Sequence, residues 1–187
     1  MSHPATPLDH DVGLGYAAAV AAKRQAKDAY LRTSIDSPLR GPDAVRALSY
    51  FAVDPRYRIV VPRPRPPAGP ERAIALDTSD GGQRIARRAA FLDFELHGQR
   101  LALTGFVLGS TRPGGLFVPF SDATSGRETY GRGRYLDLEI EPDGSVILDF
   151  NLAYQPYCAY SSAYSCPLTP AENRLAVPIL AGERLRR

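Results

Sequence analysis

The feature that most constrains this chain is a change of hydrophobic period near Tyr57. From there to the end, short apolar runs alternate with polar residues and are separated by clusters of Gly, Pro, Asp and Ser. Such punctuation marks strands rather than helices. In Phe91–Leu96, Leu92, Phe94 and Leu96 fall on one side and Asp93 and Glu95 on the other, as a half-buried strand requires. Leu136, Leu138 and Ile140 oppose Asp137 and Glu139 in the same manner. The tetrapeptide Glu141-Pro142-Asp143-Gly144 carries turn chemistry and predicts a hairpin into Val146–Asn151. There Val146, Leu148 and Phe150 share a side, leaving Asp149 and Asn151 on the other.

Strands are expected over 57–61, 72–77, 83–96, 100–108, 116–120, 128–140, 146–151 and 174–180. About eight strands suit a mostly β, antiparallel β-barrel or β-sandwich. The Pro-rich stretch 61–70 reads as a surface crossing, because proline cannot donate to a ladder. Ahead of the strands, Val12–Arg32 is rich in Ala, Lys, Arg and Gln and lacks proline, which predicts a helix packed outside the sheet. A further helical turn is expected over 42–48, where Pro42 and Asp43 suit a helix start. The expected organisation is a flexible N-terminus over 1–11 followed by a single domain over 12–187.

A length of 187 residues, with 44% hydrophobic and 23% charged residues, is that of an ordinary globular domain. The apolar stretch 16–22 is too short to span a bilayer, and the first residues lack a basic and apolar leader pattern. A cytoplasmic protein without membrane attachment is expected. The net charge of +3 is spread along the chain with acids interleaved, so no basic stripe argues for nucleic acid.

The loop 151–173 concentrates chemistry: Tyr154, Tyr157, Tyr160 and Tyr164, Cys158 and Cys166, and several prolines. Loops of that length in compact domains are commonly functional. One reading is a lid over a pocket floored by Asp149 and Asn151; the other is a packed satellite core. Catalytic candidates are Asp149 as general base or metal ligand, with Tyr160 and Cys158. Asn151, Tyr154 and Asn173 are candidates to orient a ligand through hydrogen bonds. The cysteine spacing fits neither a CxxC redox pair nor a zinc ribbon, and no histidine is near in sequence, so thiols are expected. The segment 121–134, SDATSGRETYGRGR, offers Arg127, Glu128 and Arg134 to a small polar or anionic ligand, or else as a network bracing a glycine-rich turn. Its GRG triplet does not meet the dinucleotide fingerprint.

Four stretches carry a family resemblance: YFAVDPRYR (50–58), TSDGGQR (78–84), LFVPFSDATSGRETYGRGRYLD (116–137) and LDFNLAYQPYCAYSSAYSCPLTPAENRL (148–175). Together they make the chain resemble a bacterial and archaeal family, domain of unknown function 1684. Gln155 and Arg132 depart from the Asn and Gly of its pattern. The resemblance implies a shared fold and no particular activity, cofactor or metal. The residues themselves point to a small-molecule-binding protein, with catalysis left open, or to a non-catalytic structural or protein-interaction module whose Tyr/Cys loop is a plug.

Overall fold

A computed structural model describes residues 8–39, 48–67, 73–109 and 113–186. The architecture is mostly β. Among the described residues a helix, α1 (Leu8–Thr33), precedes nine strands: β1 (Ser49–Tyr50), β2 (Arg58–Val61), β3 (Ala73–Asp77), β4 (Gln83–Leu96), β5 (Gln99–Leu108), β6 (Gly115–Phe120), β7 (Arg134–Glu139), β8 (Val146–Asp149) and β9 (Glu183–Arg184). All pairings between them are antiparallel. The strands form a five-stranded sheet in the order β3-β4-β5-β6-β7 and two short pairs, β2-β8 and β1-β9. Isolated bridges Arg65–Phe91 and Ile140–Val146 tie the β2-β8 pair to the large sheet, and the sheets are not closed into a barrel. The expected loose start over 1–11 falls, in its first seven residues, outside the described residues, and its last four begin α1; of the turn expected over 42–48, residues 42–47 also lie outside the described residues. No described helix is long and apolar enough to cross a membrane.

Alternation does what the sequence implies. Leu92, Phe94 and Leu96 are buried while Asp93 and Glu95 are exposed, and Leu136 and Leu138 are buried while Asp137 and Glu139 are exposed. These side chains join Leu103, Leu116, Val118 and Phe120 against Val61, Val146, Leu148 and Phe150 in one core. Ile140 differs from expectation: it sits 44% exposed where β7 gives way to the turn. Between β4 and β5 the turn is made by His97 and Gly98, both with positive φ, the geometry whose twist matches a two-residue hairpin. The His97 ring then lies edge-on to Tyr57.

Two expected strands are shortened or replaced. Residues 128–133 do not pair as a strand; they finish a compact turn in which Thr124 accepts from the amides of Arg127, Glu128 and Thr129. Gly133 is required there, because a Cβ would collide with Thr169 Oγ1 and the Phe120 carbonyl. Residues 174–180 run extended without a ladder beyond the Ser121–Arg174 bridge. Leu175 donates to the Ser121 carbonyl and Val177 accepts from the Ala123 amide, and beyond them a buried ion pair takes over: Arg134 donates to the carbonyls of Ile179 and, just past the segment, Ala181, and Asp122 accepts from the Ile179 amide. Obligatory backbone hydrogen bonding is met by side chains, which strand periodicity does not signal.

Candidate functional site

The face of β6 and β7 turned away from the main core carries Phe117, Tyr135, Asp137 and Glu139. The loop after β8 folds back over part of this face, and Phe117, Tyr135 and Cys166 form a second buried cluster with Tyr154, Tyr157 and Tyr164 packed on it. α1 lies across the neighbouring ground. Between helix, strands and loop opens a cleft of about 1260 Å³. Tyr16, Lys23 and Lys27 line it from the helix, Phe117, Asp137 and Asp149 from the strands, and Tyr154, Tyr157, Tyr164 and Cys166 from the loop.

Asp149 creates the turn out of β8. Its Oδ1 accepts from the Asn151 amide at 3.0 Å and so caps the single 3₁₀ turn Phe150–Leu152. The same oxygen accepts from the Tyr16 hydroxyl at 2.7 Å, which docks the helix. Asn151 Nδ2 donates to the Tyr16 oxygen at 3.0 Å and to the Asp54 carbonyl at 2.8 Å, while its Oδ1 accepts from the Asp54 amide at 2.9 Å. Burial, reinforced by the adjacent Asp149 carboxylate, pushes the Tyr16 phenol above its ordinary value. Tyr16 therefore stays protonated and donates. Chemically, the pair is a carboxylate held by a neutral hydroxyl at the wall of an open cleft, an arrangement suited to accepting a proton or a hydrogen bond from a ligand.

A second polar knot fastens the middle of α1. Glu183 is 1% exposed. It pairs with Lys27 and accepts from the Gln155 amide and the Tyr160 hydroxyl, each at 2.8 Å. Burial first, and then the Glu183 charge, push the Tyr160 phenol up, so it too is a donor. The Lys27 ammonium also stands 4.6 Å from the centre of the Tyr154 ring, and Tyr154 donates to Asp137 at 2.6 Å.

The remaining sequence candidates lie apart from the cleft wall. Asn173 is fully buried and spends its amide on Thr104 and Pro119 backbone groups. Arg134 is fully buried against Asp122 and the carbonyls of Ile179, Ala181 and Glu183. Arg127 is exposed and Glu128 half-buried on the turn after β6. Tyr160 faces Glu183 at a smaller neighbouring hollow. Cys158 and Cys166 are free thiols, with the Cys158 amide 3.3 Å from Cys166 Sγ. Burial pushes the Cys166 thiol up to about 11. Among the described residues no group of three His, Cys, Asp or Glu could hold a metal ion. Periodicity had singled out neither Tyr16, Lys27 and Glu183 nor Asp137 as site residues. Tyr16 reaches Asp149, and Lys27 reaches Glu183, only in the folded chain, and Asp137 reads from sequence as an ordinary outward strand acid.

A family profile described as protein of unknown function (DUF1684) matches residues 43–184. The solution NMR structure of an uncharacterised protein from Haloarcula marismortui is similar to this chain with a TM-score of 0.71 and 36% identity, covering 94% of this chain and 97% of that one. No curated protein matches.

Proposed function

The chain belongs to the DUF1684 family, whose description carries no activity, and from the site alone we propose that it is a small-molecule-binding protein whose ligand occupies the cleft between α1, the outer face of β6–β8 and the Tyr/Cys loop. One observation carries the reading: the helix, the Asp149 strand end and the loop enclose a cleft of about 1260 Å³ lined by aromatic rings and by charges of both signs. Concave, partly apolar sites with a few convergent polar groups are the usual form of small-molecule sites. Asp149 and Tyr16 are the groups through which a bound molecule would exchange a hydrogen bond or a proton.

The alternative, a packed plug serving a structural or interaction role, draws support from the loop's bonds to the rest of the chain. Tyr160 is bound to Glu183, Tyr135 to the Pro167 carbonyl and Tyr164 to the Asp36 carbonyl. A single variant separates the two. Ala19 is exposed and lines the cleft, so Ala19→Trp fills the space without touching the core. In a fragment screen followed by amide NMR shifts, the wild type should show fragments perturbing cleft residues and Ala19→Trp should lose them. A folded wild type in which no fragment moves those signals overturns the binding reading and favours the plug.

A further inference from the structure

Charges of opposite sign that face one cleft normally pair with one another. Here the pairing is incomplete. Lys27 is matched with Glu183. Arg24 instead gives its two terminal nitrogens to the carbonyls of Phe51 and Asn151, at 2.8 and 3.0 Å. Arg58 lies against the Tyr16 ring, and Arg84 donates to the Ser165 carbonyl at 3.1 Å. On the other side of the account, Asp137 accepts from the Tyr154 hydroxyl, and Asp149 accepts from the Tyr16 hydroxyl and the Asn151 amide. Arg24, Arg84, Asp137 and Asp149 thus face one cleft with neutral hydrogen-bond partners and Arg58 stands over a ring, while Lys23, Glu139 and Glu141 add further charge of both signs to the same lining.

A guanidinium bonded to carbonyls, or a carboxylate bonded to hydroxyls, keeps its full charge available to a ligand. A purely anionic ligand would gain from the arginines and be repelled by Asp137 and Asp149; a purely cationic one would meet the reverse. Only a molecule carrying both signs gains from both sets. The rings of Phe117, Tyr157 and Tyr164 in the same lining add apolar and cation-accepting surface. Resting on the small-molecule reading above, we propose that the cleft takes a dipolar ligand, one with an ammonium-type group and a carboxylate or phosphate on a framework that has an apolar face.

The test uses four isosteric probes on the full chain, with amide NMR shifts as readout: L-phenylalanine, 3-phenylpropanoate, 2-phenylethylamine and 2-phenylethanol. Phenylalanine should perturb cleft residues and bind about tenfold more tightly than either singly charged probe, because each lost charge removes a charge-assisted contact. Two conservative variants add the second arm. Arg84→Gln, at an exposed position, should weaken phenylalanine and phenylpropanoate and leave phenylethylamine equal or tighter; Asp137→Asn should weaken phenylalanine and phenylethylamine and leave phenylpropanoate equal or tighter. If phenylpropanoate or phenylethylamine equals phenylalanine, or if only the alcohol binds, the dipolar rule is overturned while the site reading stands. If none of the four moves a cleft signal, the dipolar rule is overturned, and the fragment screen with Ala19→Trp then decides the site reading separately. Perturbation confined to residues outside the cleft also overturns it.

Discussion

Replacing Arg134 with methionine distinguishes a ligand-holding arginine from a brace. In the folded chain the guanidinium is fully buried, Nη2 lies 2.9 Å from Asp122 Oδ2, and the same head donates to the carbonyls of Ile179, Ala181 and Glu183. Methionine fills much of the volume, so cavity formation contributes little. What it leaves is a buried Asp122 carboxylate with backbone donors from Thr124 and Ile179 but no counter-charge, and three carbonyls without their donor. Removing one partner of a buried ion pair costs about 3–5 kcal/mol. For a chain of this length each kcal/mol lowers Tm by about 2–4 °C, so Arg134→Met should melt roughly 6–20 °C below the wild type. Urea denaturation with an unchanged m-value would show that the loss is in stability rather than in the compactness of the unfolded chain. Arg134→Lys keeps the charge but not the fork that reaches several acceptors at once, and should fall between the two. The double variant Asp122→Asn/Arg134→Met should recover part of the loss, since the stranded charge goes with its partner. A loss below about 1 kcal/mol in Arg134→Met would refute the brace and return Arg134 to the list of ligand contacts.

Further expectations concern the cleft and its fastenings. Asp149→Asn preserves a good cap for the turn at 150–152 and an acceptor for Tyr16, so it should cost about 1 kcal/mol or less in thermal melts while abolishing binding of any fragment that reaches Asp149. Lys27→Met strands the buried Glu183 carboxylate, which keeps its contacts to Gln155 and Tyr160; with Lys27 itself 27% exposed, the loss should be about 1–3 kcal/mol, measured by urea denaturation, and Glu183→Gln combined with it should be less than additive. Cys166, raised by burial to about 11, and the raised phenols of Tyr16, Tyr154 and Tyr160 are groups whose protonated form the fold favours. Their stabilisation is complete below the unfolded values and is lost as pH climbs toward the folded ones, so stability should decline from about pH 9 upward. Alkylation of denatured protein without reductant should add two groups by intact mass; none added before reduction and two after would show a disulfide instead of the free thiols.

How much of this was legible in the sequence depended on whether a residue's partner was local. The strand β4 is found at 83–96, and over 91–96 its buried and exposed rows fall as alternation places them, because side chains on a pleated strand sort by the strand's own period. The hairpin at 141–144 is equally local: the amide of Gly144 donates to the Glu141 carbonyl. Segment 174–180 was expected as a strand, yet its Ile179 is held by the side chains of Arg134 and Asp122 from another part of the chain. Burial of Asn173 and Arg134 is likewise a long-range fact. Their hydrogen-bonding capacity suggested a ligand, and the fold uses that capacity on its own backbone.

The helix explains why the cleft was the least legible part. An apolar stripe on α1 would have announced a packed face, but the helix docks through Tyr16, Arg24 and Lys27, with Val20 and Leu31 as its buried apolar anchors. Residues 16, 20, 24, 27 and 31 recur at helical spacing, so they form one face. That face is mostly polar, and a hydrophobicity pattern cannot register it. All of them but Leu31 line the cleft. The fastening of the helix and the wall of the candidate site are therefore one set of side chains, and a ligand competing for Arg24 or for the Asp149–Tyr16 bond would act on the docking of the helix as well. Ligand binding and the protection of α1 against hydrogen exchange should then change together: with a fragment bound, the amides of 16–31 should exchange at an altered rate while those of β4 and β5 do not, and unchanged exchange along α1 at saturation would separate the two roles.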